Sequence, residues 1–185
     1  MANLKDSGAR TTFPSGALRE TEECKGRHDL MPLDVLAVLY QSSTCDEDVR
    51  DVADGIFSCL HHFVYTGDIS CITDAIWSFI EIAYAKDTEH ALLSLAIHYG
   101  DGAKKYGERN WEKGLPLSSY IQSAVRHFIK WLEKWDDEPH DRAFLWNLFG
   151  IIRTLNNHDT GLYDLPFHTK SIKEEINHGA ENQSC

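Results

Sequence analysis

The 185-residue sequence holds only five prolines, and its five cysteines include no C-x-x-C pair. Cys24, Cys45, Cys59, Cys71 and Cys185 are odd in number and match no zinc-knuckle spacing, which excludes a disulfide framework and points to reduced thiols. No window approaches a run of apolar residues long enough for a membrane span, and MANLKDSGAR lacks the basic-then-apolar order of a signal peptide. A cytoplasmic location without a membrane partner is the expectation. Cations are scarce as well: 18 Lys+Arg stand against 29 Asp+Glu, for a formal charge of −11. Coating nucleic acid requires clustered cations that displace counterions, so no stable nucleic-acid binding is expected.

What is present is helical periodicity. Residues 33–40 follow it after Pro32, a residue suited to a first helical turn. Residues 45–66 carry a stripe through Val49, Val52, Ile56, Leu60 and Phe63, opened by Asp46, Glu47 and Asp48 where the helix dipole favours carboxylates. Further stripes run from Ile72 to Ala83, Thr88 to Tyr99, Ser118 to Trp135 and Pro139 to Leu155. No segment alternates as a strand. The fold class read from this pattern is all-α, a bundle of about five main helices behind an extended, cation-bearing N-terminal arm.

The expected organisation is an arm over 1–32, a helical domain over 33–157 and a polar tail over 158–185. The tail has one short helix at 171–176 and a disordered end, GAENQSC. Residues 41–90 hold ten acids and two bases and read as an acidic helical insertion, whose added apolar stripes suggest a homodimer or larger homo-oligomer. The glycine-rich arm and the Gly100–Pro116 segment are close to neutral, so an anion is steered toward them.

Two segments offer chemistry. The first, read as a loop over Gly100–Pro116, combines Lys104, Lys105, Arg109 and Lys113 with Tyr106, Asn110 and Trp111. Glycine lets backbone N–H groups approach an anion, cations bind phosphate, and an aromatic ring can stack on a base. The arm adds Arg10, Arg19, Lys25 and Arg27. The second is Asp136-Asp137-Glu138-Pro139-His140-Asp141, where Pro139 fits a first helical turn and makes Asp137 or Glu138 the expected N-cap. These carboxylates with an imidazole beside them suit Mg²⁺ or Mn²⁺. Ser123 and His127 share one helix face, as do His140, Ala143 and Asn147, and antiparallel packing would bring His127 to His140. His140-Asp141 also resembles the HD pair of metal phosphohydrolases. His61-His62 and the acids near residue 46 read as a solvated face.

The segments DSGARTTFPSGALRETEECKGRHDLMP and AIHYGDGAKKYGERNWEKGLPLSSYIQSAVRHFIKWLEKWDDEPHDRAFLWNLFGII resemble the phage-encoded dATP/dGTP diphosphohydrolase family in its N-terminal-type domain. The shared features are the S-G-A-x-R arm, K-x-R-x-D-L, G-A-x-K-Y-G-x-x-N-W, S-A-x-R-H and a D-E-x-H…W-N helix. The resemblance implies an all-α relative of MazG-like pyrophosphohydrolases, acting in the host cytoplasm with Mg²⁺ or Mn²⁺ to release pyrophosphate from a purine deoxynucleoside triphosphate. It implies substrate contacts from Arg10, Arg19, Lys25, Arg27, Asp29, Lys105, Tyr106, Asn110, Trp111, Ser123, Arg126, Trp146 and Asn147. Catalysis would fall to His127, Glu138 and His140, with the metal on Asp137 and Glu138. The sequence departs from the MazG-like E-x-x-E…E-x-x-D pattern: Glu20-x-x-Glu23 lies in the arm, Glu138-x-x-Asp141 stands alone, and Asp141 replaces an apolar residue. Sparse carboxylates keep a second function class in view: a phage protein that sequesters a host-defence nucleotide signal without turnover.

Overall fold

The computed structural model describes residues 8–21, 26–41, 47–158 and 160–169. Lys25, Glu23, Asp46, Cys24, Cys45, Cys185 and the expected helix over 171–176 lie outside the described residues, as does GAENQSC. The fold is all-α apart from one small hairpin. Its α-helices are α1 (Leu33–Gln41), α2 (Glu47–Thr66), α3 (Ile69–Ala83), α4 (Thr88–Tyr106), α5 (Leu117–Leu132) and α6 (His140–Asn156). Short 3-10 turns cover His28–Leu30, Asn110–Lys113 and Thr160–Leu162. Among the described residues no helix is long and apolar enough to cross a membrane.

α5 and α6 pack along each other at the centre, with α3 and α4 both against α6. The amphipathic stripes meet in an aromatic cluster. Phe79 of α3 lies 4.6 Å from Phe144 of α6, and Phe57 of α2 lies 5.1 Å from Phe128 of α5. Phe57, Phe63, Phe79, Phe128 and Phe144 are fully buried. Residues 47–83 therefore furnish core side chains. Gly150 in α6 is there for packing: a Cβ at this position would sit 2.2 Å from the buried Tyr120 ring. Cys59 and Cys71 carry free thiols. Burial pushes the Cys59 thiol up to about 11, far from a reactive thiolate.

Three local expectations are corrected. The arm contains a strand pair, β1 (Arg10–Thr12) and β2 (Leu18–Glu20), antiparallel with Thr11 opposite Arg19. Strands of three residues leave no alternation to detect. What holds them is tertiary: Leu18 N–H donates to Asn110 Oδ1 at 3.0 Å, Asn110 Nδ2 donates to the Leu18 carbonyl at 2.8 Å, and Ser15 Oγ donates to the Gly114 carbonyl at 2.8 Å.

Next, α4 runs on to Tyr106, so Gly100–Tyr106 is helix rather than loop. Each glycine costs about 1 kcal/mol relative to alanine. Packing of α4 on α6 and two lysines in its last turn outweigh that cost.

Finally, neither Asp137 nor Glu138 caps α6. The N-cap is Pro139 and no side chain bonds there. Asp137 is instead held by Lys130 and His140.

Candidate functional site

A cleft partly open to solvent lies between β2, the C-terminal half of α4, α5 and the start of α6. β2 contributes Arg19, whose Nη2 donates to Asn147 Oδ1 at 3.1 Å. Asn147 is buried, and its Nδ2 donates to the Ala143 carbonyl at 2.7 Å, so it aims the guanidinium. α4 contributes Lys105, a buried ammonium 3.4 Å from Glu20 Oε1. α5 contributes Arg126, whose Nη2 donates to Ser123 Oγ at 2.9 Å. Three cations thus reach one cleft from three separate elements.

Behind Arg126 lies a hydrogen-bonded chain. Arg126 Nη2 is 3.1 Å from His127 Nε2, His127 Nδ1 is 3.0 Å from His140 Nδ1, and His140 Nε2 is 2.8 Å from Asp137 Oδ1. A guanidinium only donates and a carboxylate only accepts. His127 therefore accepts on Nε2 and carries its proton on Nδ1, and His140 accepts on Nδ1 and donates from Nε2. Every bond is satisfied with both imidazoles neutral. Burial first, then the charge of Arg126, hold the His127 pKa well below its ordinary value. Burial opposes the Asp137 carboxylate, but hydrogen bonds from Lys130 and His140 outweigh it and hold its pKa at about 2.

Glu138 completes the group. Its Oε1 lies 3.6 Å from His127 Nδ1 and 3.8 Å from His140 Nδ1, and it lines the cleft. These three ligand atoms lie within 4.8 Å of one another and could hold a metal ion. Two imidazole nitrogens and one carboxylate suit an ion such as Mn²⁺ better than the all-oxygen shell Mg²⁺ demands. Asp137, bonded to Lys130 and His140, stands where a carboxylate orients a ligating histidine from behind. Asp141 faces elsewhere and accepts the Tyr84 hydroxyl at 2.6 Å, so no HD arrangement forms with His140. A second metal-capable group, His62, Asp68 and Cys71, includes the exposed face read as solvated.

A neighbouring cavity is lined by Tyr99, Tyr106, Trp111 and Trp146. Gly102, Tyr106, Asn110 and Trp146 line both cavities, so the two are neighbours across these residues. The sequence-expected residues thus divide. Arg19, Lys105, Tyr106, Asn110, Ser123, Arg126, His127, Glu138, Trp146 and Asn147 converge on the cleft, and Trp111 lies in its aromatic extension. His140 and Asp137 support it from behind. Both amide atoms of Asn110 bond Leu18, which makes Asn110 a clamp for β2. Arg10 lies over the outer Tyr106 ring at 5.1 Å. Arg27 and Asp29 pair with each other at 2.6 Å beside a different groove. Of the other cations in 100–116, Lys104 pairs with Asp101, Arg109 with Glu112, and Lys113 donates to the Gly16 carbonyl.

Sequence reasoning missed three polar residues of the cleft lining, Glu20, Gln122 and His98. Gln122 donates to the Gly26 carbonyl at 2.6 Å and ties the arm to α5. His98 is buried, lines the cleft, and leaves its Nδ1 without a hydrogen-bond partner. Its spacing on α4, one turn after the buried Leu95, reads as an ordinary core position. Burial first, then the nearby Arg142 charge, lower its pKa to about 4, although Asp101 and Asp141 pull the other way. An unfolded histidine takes up its proton near 6.5, so between that pH and about 4 the unfolded state binds more protons and stability falls as pH falls. Going from pH 7 to pH 5, His98 is expected to lower unfolding free energy by about 2 kcal/mol. Urea titrations of wild type and His98→Gln check this: the variant should lose less stability over that step, and equal losses would contradict it.

Residues 80–162 match the family model described as dATP/dGTP diphosphohydrolase, N-terminal, the family the sequence resembles. The matched span includes α4, α5 and α6 and leaves out β2 with Arg19. No curated protein and no solved structure matches the chain.

Proposed function

We propose, from the match of residues 80–162 together with the geometry of the cleft, that this protein is a metal-dependent pyrophosphohydrolase of purine deoxynucleoside triphosphates. The single observation that carries the reading is the convergence of Arg19, Lys105 and Arg126 beside the His127–Glu138–His140 group, with an aromatic cavity adjoining the same cleft. The cations hold the phosphate oxygens, and they stabilise charge where it develops on transfer. The base stacks among Tyr99, Tyr106, Trp111 and Trp146. Water attacks the α-phosphorus, the α–β bridging bond breaks, and deoxynucleoside monophosphate and pyrophosphate leave.

The residues fit a single divalent ion held by His127 Nδ1, His140 Nδ1 and Glu138, with Mn²⁺ favoured over Mg²⁺. When bound, such an ion polarises phosphate oxygens and lowers the pKa of water. Holding it requires both Nδ1 lone pairs, so the His127 proton must sit on Nε2 and Arg126 must turn away from that nitrogen. A substrate phosphate offers Arg126 the replacement acceptor. Asp137 keeps the His140 proton on Nε2, which leaves His140 Nδ1 ready without any change. Glu138 is, among the described residues, the carboxylate that both lines the cleft and faces the two imidazoles.

Binding tests the nucleotide part of this reading separately from turnover. dATP and dGTP analogues with a methylene α–β bridge are expected to quench the fluorescence of Trp111 and Trp146, and deoxyadenosine to bind at least about 30-fold more weakly, as loss of charged hydrogen bonds implies. Equal affinity for nucleoside and triphosphate analogue, or no binding of either, would contradict it.

A further inference from the structure

We propose that the exposed face of α4 is the interface of a two-fold homodimer, with two copies of this helix packed antiparallel. Burial settles which side of α4 faces its own fold: Ala91, Leu95 and His98 are the buried residues. At 3.6 residues per turn, Leu93, Ala96, Ile97 and Gly100 fall on the opposite side. All four are exposed, with Leu92 beside them. Leu93 is 60% and Ile97 49% accessible. A contiguous apolar stripe on the solvent side of a helix in a chain of formal charge −11 marks a contact surface.

Gly100 is compatible with that contact. Glycine weakens a helix interior relative to alanine. A Cβ at Gly100 would meet nothing within 4 Å, so no packing among the described residues requires the glycine. A residue without a Cβ is one that a second helix can approach closely.

The stripe is complementary to itself. With the two-fold axis between Ala96 and Ile97, Ala96 meets Ile97 of the second copy, Leu93 meets Gly100, and Glu89 meets Lys104. Each small residue faces a large one, and Glu89 and Lys104, both exposed, sit at opposite ends of the stripe. A closed dimer requires this reciprocity. A second copy running in reverse meets both charged ends with the opposite charge at once. Gly100 also borders the aromatic cavity, so Leu93 of the second copy would form part of its rim. The inference stands without the proposed activity, because its evidence lies on the face of α4 turned away from the cleft cations.

Sedimentation velocity on the full chain, with circular dichroism as the control for folding, tests it. Wild type is expected at twice 21.1 kDa. Leu93→Glu is expected to weaken association at least about 30-fold, as charge at the centre of an apolar contact does. Gly100→Leu should do the same while raising the helical stability of the monomer, which separates lost association from lost folding. Glu89→Lys and Lys104→Glu should each weaken the dimer about 3- to 30-fold, and the double reversal should restore it. A monomeric wild type at 100 µM, as an order of magnitude well above ordinary dimer affinities, would overturn the proposal. So would a dimer indifferent to Leu93→Glu and Gly100→Leu, or a double reversal that restores nothing.

Discussion

Glu138→Gln is expected to lose metal-dependent turnover by about 10³-fold or more while keeping nucleotide affinity within a few-fold. Glu138 Oε1 is 3.6 Å and 3.8 Å from the two imidazole nitrogens with which it would share an ion. The amide keeps the size and an oxygen but loses the charge. Phosphate affinity rests on Arg19, Lys105 and Arg126, which the substitution leaves in place. The fold should tolerate it: Pro139 is the N-cap of α6, no side-chain cap bond is lost, and Glu138 is partly exposed. Unfolding in urea should shift by about 1 kcal/mol or less. Steady-state rates with Mn²⁺ and analogue binding, measured on one preparation, check both halves. A variant retaining more than about a tenth of wild-type turnover would remove Glu138 from the chemistry.

Arg126→Ala is expected to move two affinities in opposite directions. Nucleotide binding should weaken about 10- to 150-fold, the worth of a lost charged hydrogen bond. Mn²⁺ affinity in the absence of nucleotide should rise a few-fold. The reason is the proton on His127: Arg126 Nη2, 3.1 Å from His127 Nε2, fixes that proton on the Nδ1 the ion would need. Removing the guanidinium frees the tautomer and takes away a like charge. Calorimetric titrations with Mn²⁺ alone and with the methylene analogue separate the two effects. Weakening of both would show that Arg126 only holds the site together.

The helices were legible because each core stripe repeats over three or more turns, as in Ile56, Phe57, Leu60 and Phe63 of α2. The hairpin was not, since three-residue strands stapled by Asn110 and Ser15 depend on partners about a hundred residues away. For the same reason the clamp that the Asn110 side chain forms on β2 was not legible. The approach of His127 to His140 followed from i, i+4 spacing on two helices joined by a short connection. Asp137 carried no such signal: a carboxylate before a helix usually caps it, and only the geometry shows it held by Lys130 and His140. His98 hid because a buried histidine at core spacing looks like any other core residue until the fold sets it in the cleft lining with its buried Nδ1 unpartnered.

The central claim is that the cleft directs water to the α-phosphorus of a purine deoxynucleoside triphosphate. Mass spectrometry of the products formed from dATP and dGTP, with Mn²⁺ in heavy-oxygen water, tests it most directly. The account predicts equal amounts of monophosphate and pyrophosphate, with the label in the monophosphate and repeated turnovers per chain. Recovery of intact nucleotide after denaturing the protein, without product, would contradict it and identify a protein that sequesters its ligand.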